Sequence, residues 1–166
     1  MKMRILGIDP GFAITGYSII DYIGNKFKLI TSGAITTEAN LAFPTRLTII
    51  YNQLGEIINK YNPEVISVEE LFFNQNIKTA INVAQARGIV LVVGCKNSIP
   101  TYEYTPLQIK QAVVGYGRAE KKQVQQMVKA ILNVKEVPKL DDITDSMAAA
   151  ICHAHSSKFS EEFRIK

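Results

Sequence analysis

Cysteine is scarce in this chain: only Cys95 and Cys152 occur, far apart and in no Cys-x-x-Cys pair. That spacing excludes a disulfide framework, and both residues read as reduced thiols packed in helices. Long apolar runs are missing as well. The longest, Gly88 to Cys95, falls well short of the ~20 residues needed to span a bilayer. The first residues enter a strand at once, which leaves no room for a signal peptide, so a cytoplasmic location and no membrane partner are expected. Internal repeats, low-complexity tracts and linkers rich in Pro, Gly or Ser are absent. The histidines are His153 and His155. With Cys152 they hint at zinc, but positions i and i+2 diverge on a helix. The glycines of Gly7-x-x-x-Gly11-x-x-x-x-Gly16 form no nucleotide-binding fingerprint, because the spacing is wrong and no helix follows.

What remains is an ordinary globular composition. Over 166 residues, 47% are hydrophobic and 20% charged, with a formal charge of +4, which suits one domain over residues 1–166 with a proper core. Met3 to Ile8 reads as a buried strand ending in Asp9, with a break at Pro10-Gly11. Ala13–Ile20 and Phe27–Ile35 read as strands joined by a tight turn at Gly24-Asn25, so the chain opens as an antiparallel meander. A helix begins at Pro44, keeps helical spacing through Leu47, Ile50, Tyr51, Leu54, Ile57 and Ile58, and stops at Tyr61-Asn62-Pro63. Val65–Val68 is a short buried strand ending in Glu69-Glu70. A loop, Leu71 to Asn76, carries adjacent aromatics. A long helix over Ile77–Asn97 is marked by Ile81, Ala84, Gly88, Leu91, Val92 and Cys95. A strand over Thr101–Tyr104 and helices from Thr105-Pro106, over Ala119–Leu132 and from Asp141 to about Ser157 complete the order. The expectation is an α/β fold: a mixed five-stranded sheet, antiparallel meander plus parallel strands, with helices on both faces.

The carboxylates carry the chemistry. A hydrophobic strand has no structural use for an unpaired charge at its end, and that pattern occurs at both Asp9 and Glu69. A helix separates the two strands, so a right-handed crossover would set them parallel, with both carboxylates at one edge. On the last helix, Asp142 and Asp145 are three apart and share a face. Asp141 has a local explanation as an N-cap, and acids in a first turn favour the helix dipole. That accounts for Asp141 well, Asp142 fairly and Asp145 poorly. Gathered together, Asp9, Glu69, Asp142 and Asp145 would repel one another. Hard cations between them remove that objection, and all-oxygen ligation selects Mg²⁺, with Mn²⁺ as a substitute. Two such ions, ~3.5–4 Å apart, can activate water and stabilise the leaving oxygen of a phosphodiester.

Between Pro106 and Lys139 there are seven basic and two acidic residues, a net +5 against +4 for the whole chain. Such a run is commonly a solvated helix face. Next to a carboxylate cluster it fits phosphate binding, with Lys110, Arg118, Lys121 and Lys122 as the candidates. Phe72 and Phe73, shortly after Glu69, are either core anchors or a wedge that stacks on unpaired bases. The expectation is one packed and one exposed.

Ile5-Leu6-Gly7-Ile8-Asp9-Pro10-Gly11 with Thr15-Gly16-Tyr17 resembles the start of the RuvC family of Holliday-junction resolvases. The resemblance continues in order through Val68-Glu69 with Phe72, Gln85-Ala86-Arg87-Gly88 and Lys110-Gln111-Ala112-Val113-Val114-Gly115. It runs on through Ala119-Glu120-Lys121 with Gln123-Val124-Gln125, and Asp142-Ile143-Thr144-Asp145-Ser146-Met147-Ala148. It covers residues 3 to 156. It implies a ribonuclease-H-like fold, a homodimer formed along the helix from Ile77, and Mg²⁺-dependent paired nicking of four-way junction DNA. It also implies cooperation with the RuvA and RuvB branch-migration proteins in recombination and repair. By the same resemblance Asp9, Glu69, Asp142 and Asp145 match the catalytic carboxylates, Phe72 an aromatic that meets junction bases, and Lys110 and Lys121 basic residues needed for cleavage. Where some relatives carry His at the third acid, this chain has Asp142.

Three other classes share parts of the pattern. ATP-binding sugar kinases and actin-like proteins carry a similar first strand, but they need two such domains around the nucleotide. A small ribonuclease-H-like enzyme proposed to trim ribosomal RNA precursors shares the Asp and Glu strands; the basic stretch and the Phe72 loop argue against it. A junction-binding scaffold without catalysis would not need an intact carboxylate set.

Overall fold

The structure, a computed structural model, describes residues 2–71 and 77–166. Five strands form one sheet in the order β3-β2-β1-β4-β5: β1 Lys2–Asp9, β2 Ile14–Ile23, β3 Lys26–Thr36, β4 Val65–Glu69 and β5 Thr101–Tyr104. The β2–β3 turn sits at Gly24 and Asn25, with φ of 51° and 66°, the double left-handed conformation that matches strand twist. β1 pairs antiparallel with β2 and parallel with β4, and β4 pairs parallel with β5. The expected meander, crossover and mixed sheet are all present.

β1 is central, so both of its faces are covered, and Ile5, Leu6 and Ile8 have no exposure. That is why it reads as a continuous apolar run rather than an alternating one. Leu6 and Ile8 face α1 (Phe43–Tyr61) and α2 (Ile77–Lys96), where they meet Ile50, Leu54, Ile58, Ala86, Val90 and Val93. Ile5 faces α5 (Asp141–Ser156), which is backed by α3 (Pro106–Val114) and α4 (Lys121–Leu132). α5 is sandwiched between sheet and outer helices, and from Ile143 to Ala154 only the partly exposed Asp145 breaks its burial. Full burial of Met147 and Ile151 alone contributes roughly 1.5–3 kcal/mol each.

Three local expectations change. α4 starts at Lys121 rather than Ala119, because Glu120 and Gln123 form a capping box at its start. Cys152 is buried, but Cys95 is exposed. It lies on the stripe of α2 that also holds Ile81 and Val92, which are 51% and 55% exposed. The apolar residues that mark α2 in the sequence are therefore partly its outward stripe, while Ala86, Val90 and Val93 pack inward. Asp141 is not a cap: Leu140 occupies the N-cap position, without a side-chain cap bond, and Asp141 is already helical. Among the described residues no helix is long and apolar enough to cross a membrane.

Candidate active site

The site follows from three rows of residues that cross the sheet on the α5 side. Ladder partners point to the same face, and so do residues two apart on one strand. The first row is Ile20, Ile5 and Val65, and the second is Ser18, Gly7 and Ser67. One step further along, Gly16 pairs with Asp9, and Glu69 follows Val68, the partner of Ile8. The parallel pairing thus delivers Asp9 and Glu69 to the same edge and the same face.

The small middle row lets α5 lie directly on the strands. A Cβ on Gly7 would stand 2.0 Å from the Ser146 carbonyl oxygen, and one on Gly16 would stand 2.0 Å from the Asp142 carbonyl oxygen. Ser67 Oγ donates to the Ala149 carbonyl at 2.7 Å. The first turn of α5 therefore occupies the space that a side chain opposite Asp9 would fill, and this placement adds Asp142 and Asp145 to Asp9 and Glu69.

The turn after Asp9 is also held. Arg46, buried at the start of α1, donates from Nε to Thr37 Oγ1 at 2.8 Å, and its guanidinium lies 4.6 Å from the centre of the Phe12 ring. Thr37 Oγ1 in turn donates to the Phe12 carbonyl at 2.5 Å. Sequence reasoning missed Arg46, because its acceptors come from two distant stretches of chain.

The electrostatics record the crowding. Burial, then the negative charges of Glu69, Asp145 and Asp142, push the Asp9 carboxyl up to about 8, with Lys121 pulling the other way. Burial and the Asp145 charge push Glu69 up to about 7 against Lys121 and Lys110. Asp145 is raised by burial, with Lys121 opposing. Burial disfavours the Lys121 charge, yet its bond to Asp141 and the charges of Asp145 and Asp141 outweigh that, and its pKa rises. Lys121 Nζ lies 3.1 Å from Asp141 Oδ2 and 3.4 Å from Asp145 Oδ2.

Glu69, Lys110, Lys121 and Asp145 line a cleft of about 280 Å³, with Pro106, Ile109, Val124 and Ala148 as its apolar wall. Arg118 and Lys122 are exposed and are not part of that lining. Phe72 and Phe73 lie outside the described residues. Lys121 is thus the base that meets the clustered acids directly among the described residues, through Asp141 and Asp145.

Among the described residues, no three ligating side chains close into a ready-made metal cage. The donor set nonetheless fits a hard divalent cation: every donor is a carboxylate oxygen, and the raised pKa values of Asp9 and Glu69 express a charge that only a cation or protons can neutralise. His153 is no part of it. Its Nδ1 shares a 2.8 Å hydrogen bond with the Tyr104 hydroxyl, and burial lowers its pKa to about 4.

A family model described as crossover junction endodeoxyribonuclease RuvC matches residues 5–153. A curated relative of that description from Alkaliphilus oremlandii is 56% identical over 164 residues, 99% of this chain and 100% of the relative. Another, from Ruminiclostridium cellulolyticum, is 58% identical over 156 residues, 94% of each chain. Among solved structures, Thermus thermophilus RuvC superposes with a TM-score of 0.89 at 32% identity, over 98% of both chains. T. thermophilus RuvC in complex with Holliday junction substrate also gives 0.89, at 30% identity, over 98% of this chain and all of that one. The yeast mitochondrial Holliday junction resolvase Ydc2 shares the fold at a TM-score of 0.64 and 16% identity, over 97% of this chain and 86% of that one.

Proposed function

The chain belongs to the RuvC family of crossover junction endodeoxyribonucleases, and from that premise we propose that it resolves four-way DNA junctions by paired, symmetric, metal-dependent phosphodiester hydrolysis. The observation that carries this reading is the placement of Asp9 and Glu69 on one edge and face of the sheet with the first turn of α5 laid against them.

Asp9, Glu69, Asp142 and Asp145 are the proposed catalytic carboxylates and metal ligands. Mg²⁺, or Mn²⁺ in its place and two ions at a time, would supply water activation and charge stabilisation at the leaving oxygen. The protein's own part is to hold the carboxyls where they cannot relax apart: Asp9 at the strand end beside Gly16, Asp142 and Asp145 on a buried helix. Burial and mutual repulsion hold the Asp9 and Glu69 carboxyls up at about 8 and about 7, and a divalent cation held between them would favour their charged forms. Lys110 and Lys121 line the cleft and would meet the phosphate, placing positive charge where negative charge develops. Arg118 and Lys122, exposed nearby, would contact the DNA backbone, and one of Phe72 and Phe73 its unpaired bases.

The symmetry of paired cuts calls for two active sites. We assign a homodimer to the outward stripe of α2, supported by the exposure of Ile81 and Val92 there. Partnership with the RuvA and RuvB proteins belongs to the same reading.

The experiment is incubation with labelled four-way DNA, linear duplex and structured RNA, with and without Mg²⁺. Symmetric cuts confined to the junction and dependent on Mg²⁺ are expected. Comparable cutting of linear duplex or RNA would overturn the assignment.

A further inference from the structure

Asp141 neither caps α5 nor belongs to the proposed ligand set, yet its carboxylate is held on both sides. Oδ1 accepts from Gln125 Nε2 at 2.8 Å, and Oδ2 faces Lys121 Nζ at 3.1 Å. Lys121 and Gln125 are four apart on α4, so they rise from one face of that helix and grip the first residue of α5 together. The same ammonium reaches Asp145 Oδ2 at 3.4 Å.

Strength is not what this arrangement supplies. The side chains of Lys121 and Asp141 are 52% and 51% exposed, and exposed pairs contribute little to stability. What it supplies is direction. Lysine is a point charge on a flexible four-carbon stem, and a single partner leaves its head free to swing. Two carboxylates, one of them pinned by an amide, confine it to a small volume at the mouth of the cleft. Asp145 is also a proposed metal ligand, so its oxygen cannot serve Lys121 and a cation equally. An anchor outside the ligand set keeps the ammonium in place when Asp145 turns to metal.

We infer that Asp141, fixed by Gln125, is a positioning residue that holds the Lys121 ammonium at the rim of the carboxylate cluster, within reach of the phosphate to be cleaved. The inference rests on the reading of the cleft as a phosphodiesterase site. Neither Asp141 nor Gln125 touches the reacting atoms; both act through Lys121.

The test uses the full chain and two independent readouts. The first is steady-state cleavage of four-way DNA with Mg²⁺. Asp141→Ala should lower kcat by roughly tenfold while KM moves less than about twofold, as expected when a catalytic group loses orientation rather than when substrate loses a contact. Asp141→Glu, which keeps the charge, should recover most of that loss. The second readout is the rate at which an amine-acylating reagent modifies Lys121 in metal-free protein, followed by mass spectrometry. Release from Asp141 should raise it about threefold or more, because a confined, paired ammonium reacts slowly. Should Asp141→Ala fail to fold, Gln125→Ala loosens the same carboxylate without altering α5, and a smaller rise in Lys121 acylation is expected. Unchanged acylation in the folded variants overturns the inference. So does a loss of turnover accompanied by a lowered melting temperature with no change at Lys121, which would mark a merely structural role. If the parent protein cuts no four-way DNA, the nuclease reading fails, while the acylation result still decides whether Asp141 positions Lys121.

Discussion

The glycine opposite Asp9 offers a way to dismantle the site without touching a single carboxylate. In Gly16→Ala the new methyl would stand 2.0 Å from the Asp142 carbonyl oxygen, 2.3 Å from the Asp142 carbonyl carbon and 2.9 Å from the Ile143 nitrogen. All three are backbone atoms of a packed helix, so no side chain can swing aside. To reach ordinary contact at 3.4 Å, the start of α5 has to move by about 1.4 Å, or β2 has to yield by as much. Overpacking of this kind costs about 1–3 kcal/mol, and a collision with backbone belongs at the upper end. For a chain of this length that is a fall of roughly 6–12 °C in Tm. The effect on chemistry should exceed the effect on stability, because a displacement of about 1 Å in a catalytic group can cost on the order of a hundredfold in rate. Gly55→Ala is the matched control: Gly55 is a helical glycine of α1 with nothing within 4 Å of its added Cβ, so the same chemical change should stabilise by about 0.5–1 kcal/mol. The assay pairs thermal denaturation with junction cleavage measured at a temperature where both variants are fully folded. A Gly16→Ala protein that melts with its parent and cleaves at the parental rate would refute the claim that backbone contact between α5 and β2 assembles the site.

Asp9→Asn should leave junction binding within a fewfold of the parent and abolish Mg²⁺-dependent nicking, measured by gel shift in Ca²⁺ and cleavage in Mg²⁺; undiminished cleavage would remove Asp9 from the ligand set. The same variant tests the electrostatics: the folded-state pKa of Asp9, about 8, lies above its ordinary value of 3.8, so the native state binds the extra proton between those pH values and stability falls as pH rises through that window. The stability of metal-free Asp9→Asn relative to the parent should therefore grow from pH 4 to pH 8, read by denaturant midpoints, and a flat or inverted difference would contradict the raised pKa. Tyr104→Phe removes the hydroxyl bonded to the buried His153 Nδ1 and should cost about 1–3 kcal/mol, visible as a lower denaturant midpoint; no loss would mean that His153 has another partner.

Much of this was legible in the chain. The end of β1 at Asp9, the two φ > 0 residues of the Gly24-Asn25 turn and the crossover into β4 each follow from local rules and handedness. So does the pairing of Asp9 with Glu69, since two parallel strands ending alike must present their ends together. Asp141 shows where local rules stop. Its position invites a cap, but Lys121 and Gln125 arrive from another helix and take the carboxylate. Arg46 is similar: buried guanidinium at a helix start has no local explanation, and its acceptor Thr37 lies in the loop after β3. On α2, apolar spacing identified a helix without saying which stripe faced in, because a helix with apolar residues on two sides carries no directional signal.

The glycines and serines of β1, β2 and β4 look incidental in the sequence, yet their order along the strands explains why the acids gather. On the face toward α5, the sheet runs from a row of large apolar residues (Ile20, Ile5, Val65), to a row with almost no side chain (Ser18, Gly7, Ser67), to the row of Gly16, Asp9 and Glu69. A helix laid across this surface touches the strands most closely over the small row, and its backbone contacts at Ser146 and Asp142 fix how far it can slide. One helical turn separates those two contacts, so register along α5 is set by two glycines on neighbouring strands. A slip by a single residue would rotate the helix by about 100° and carry Asp142 and Asp145 away from the edge. The proposed chemistry belongs to the carboxylates, but like charges would not choose one another; the positions without side chains force the arrangement.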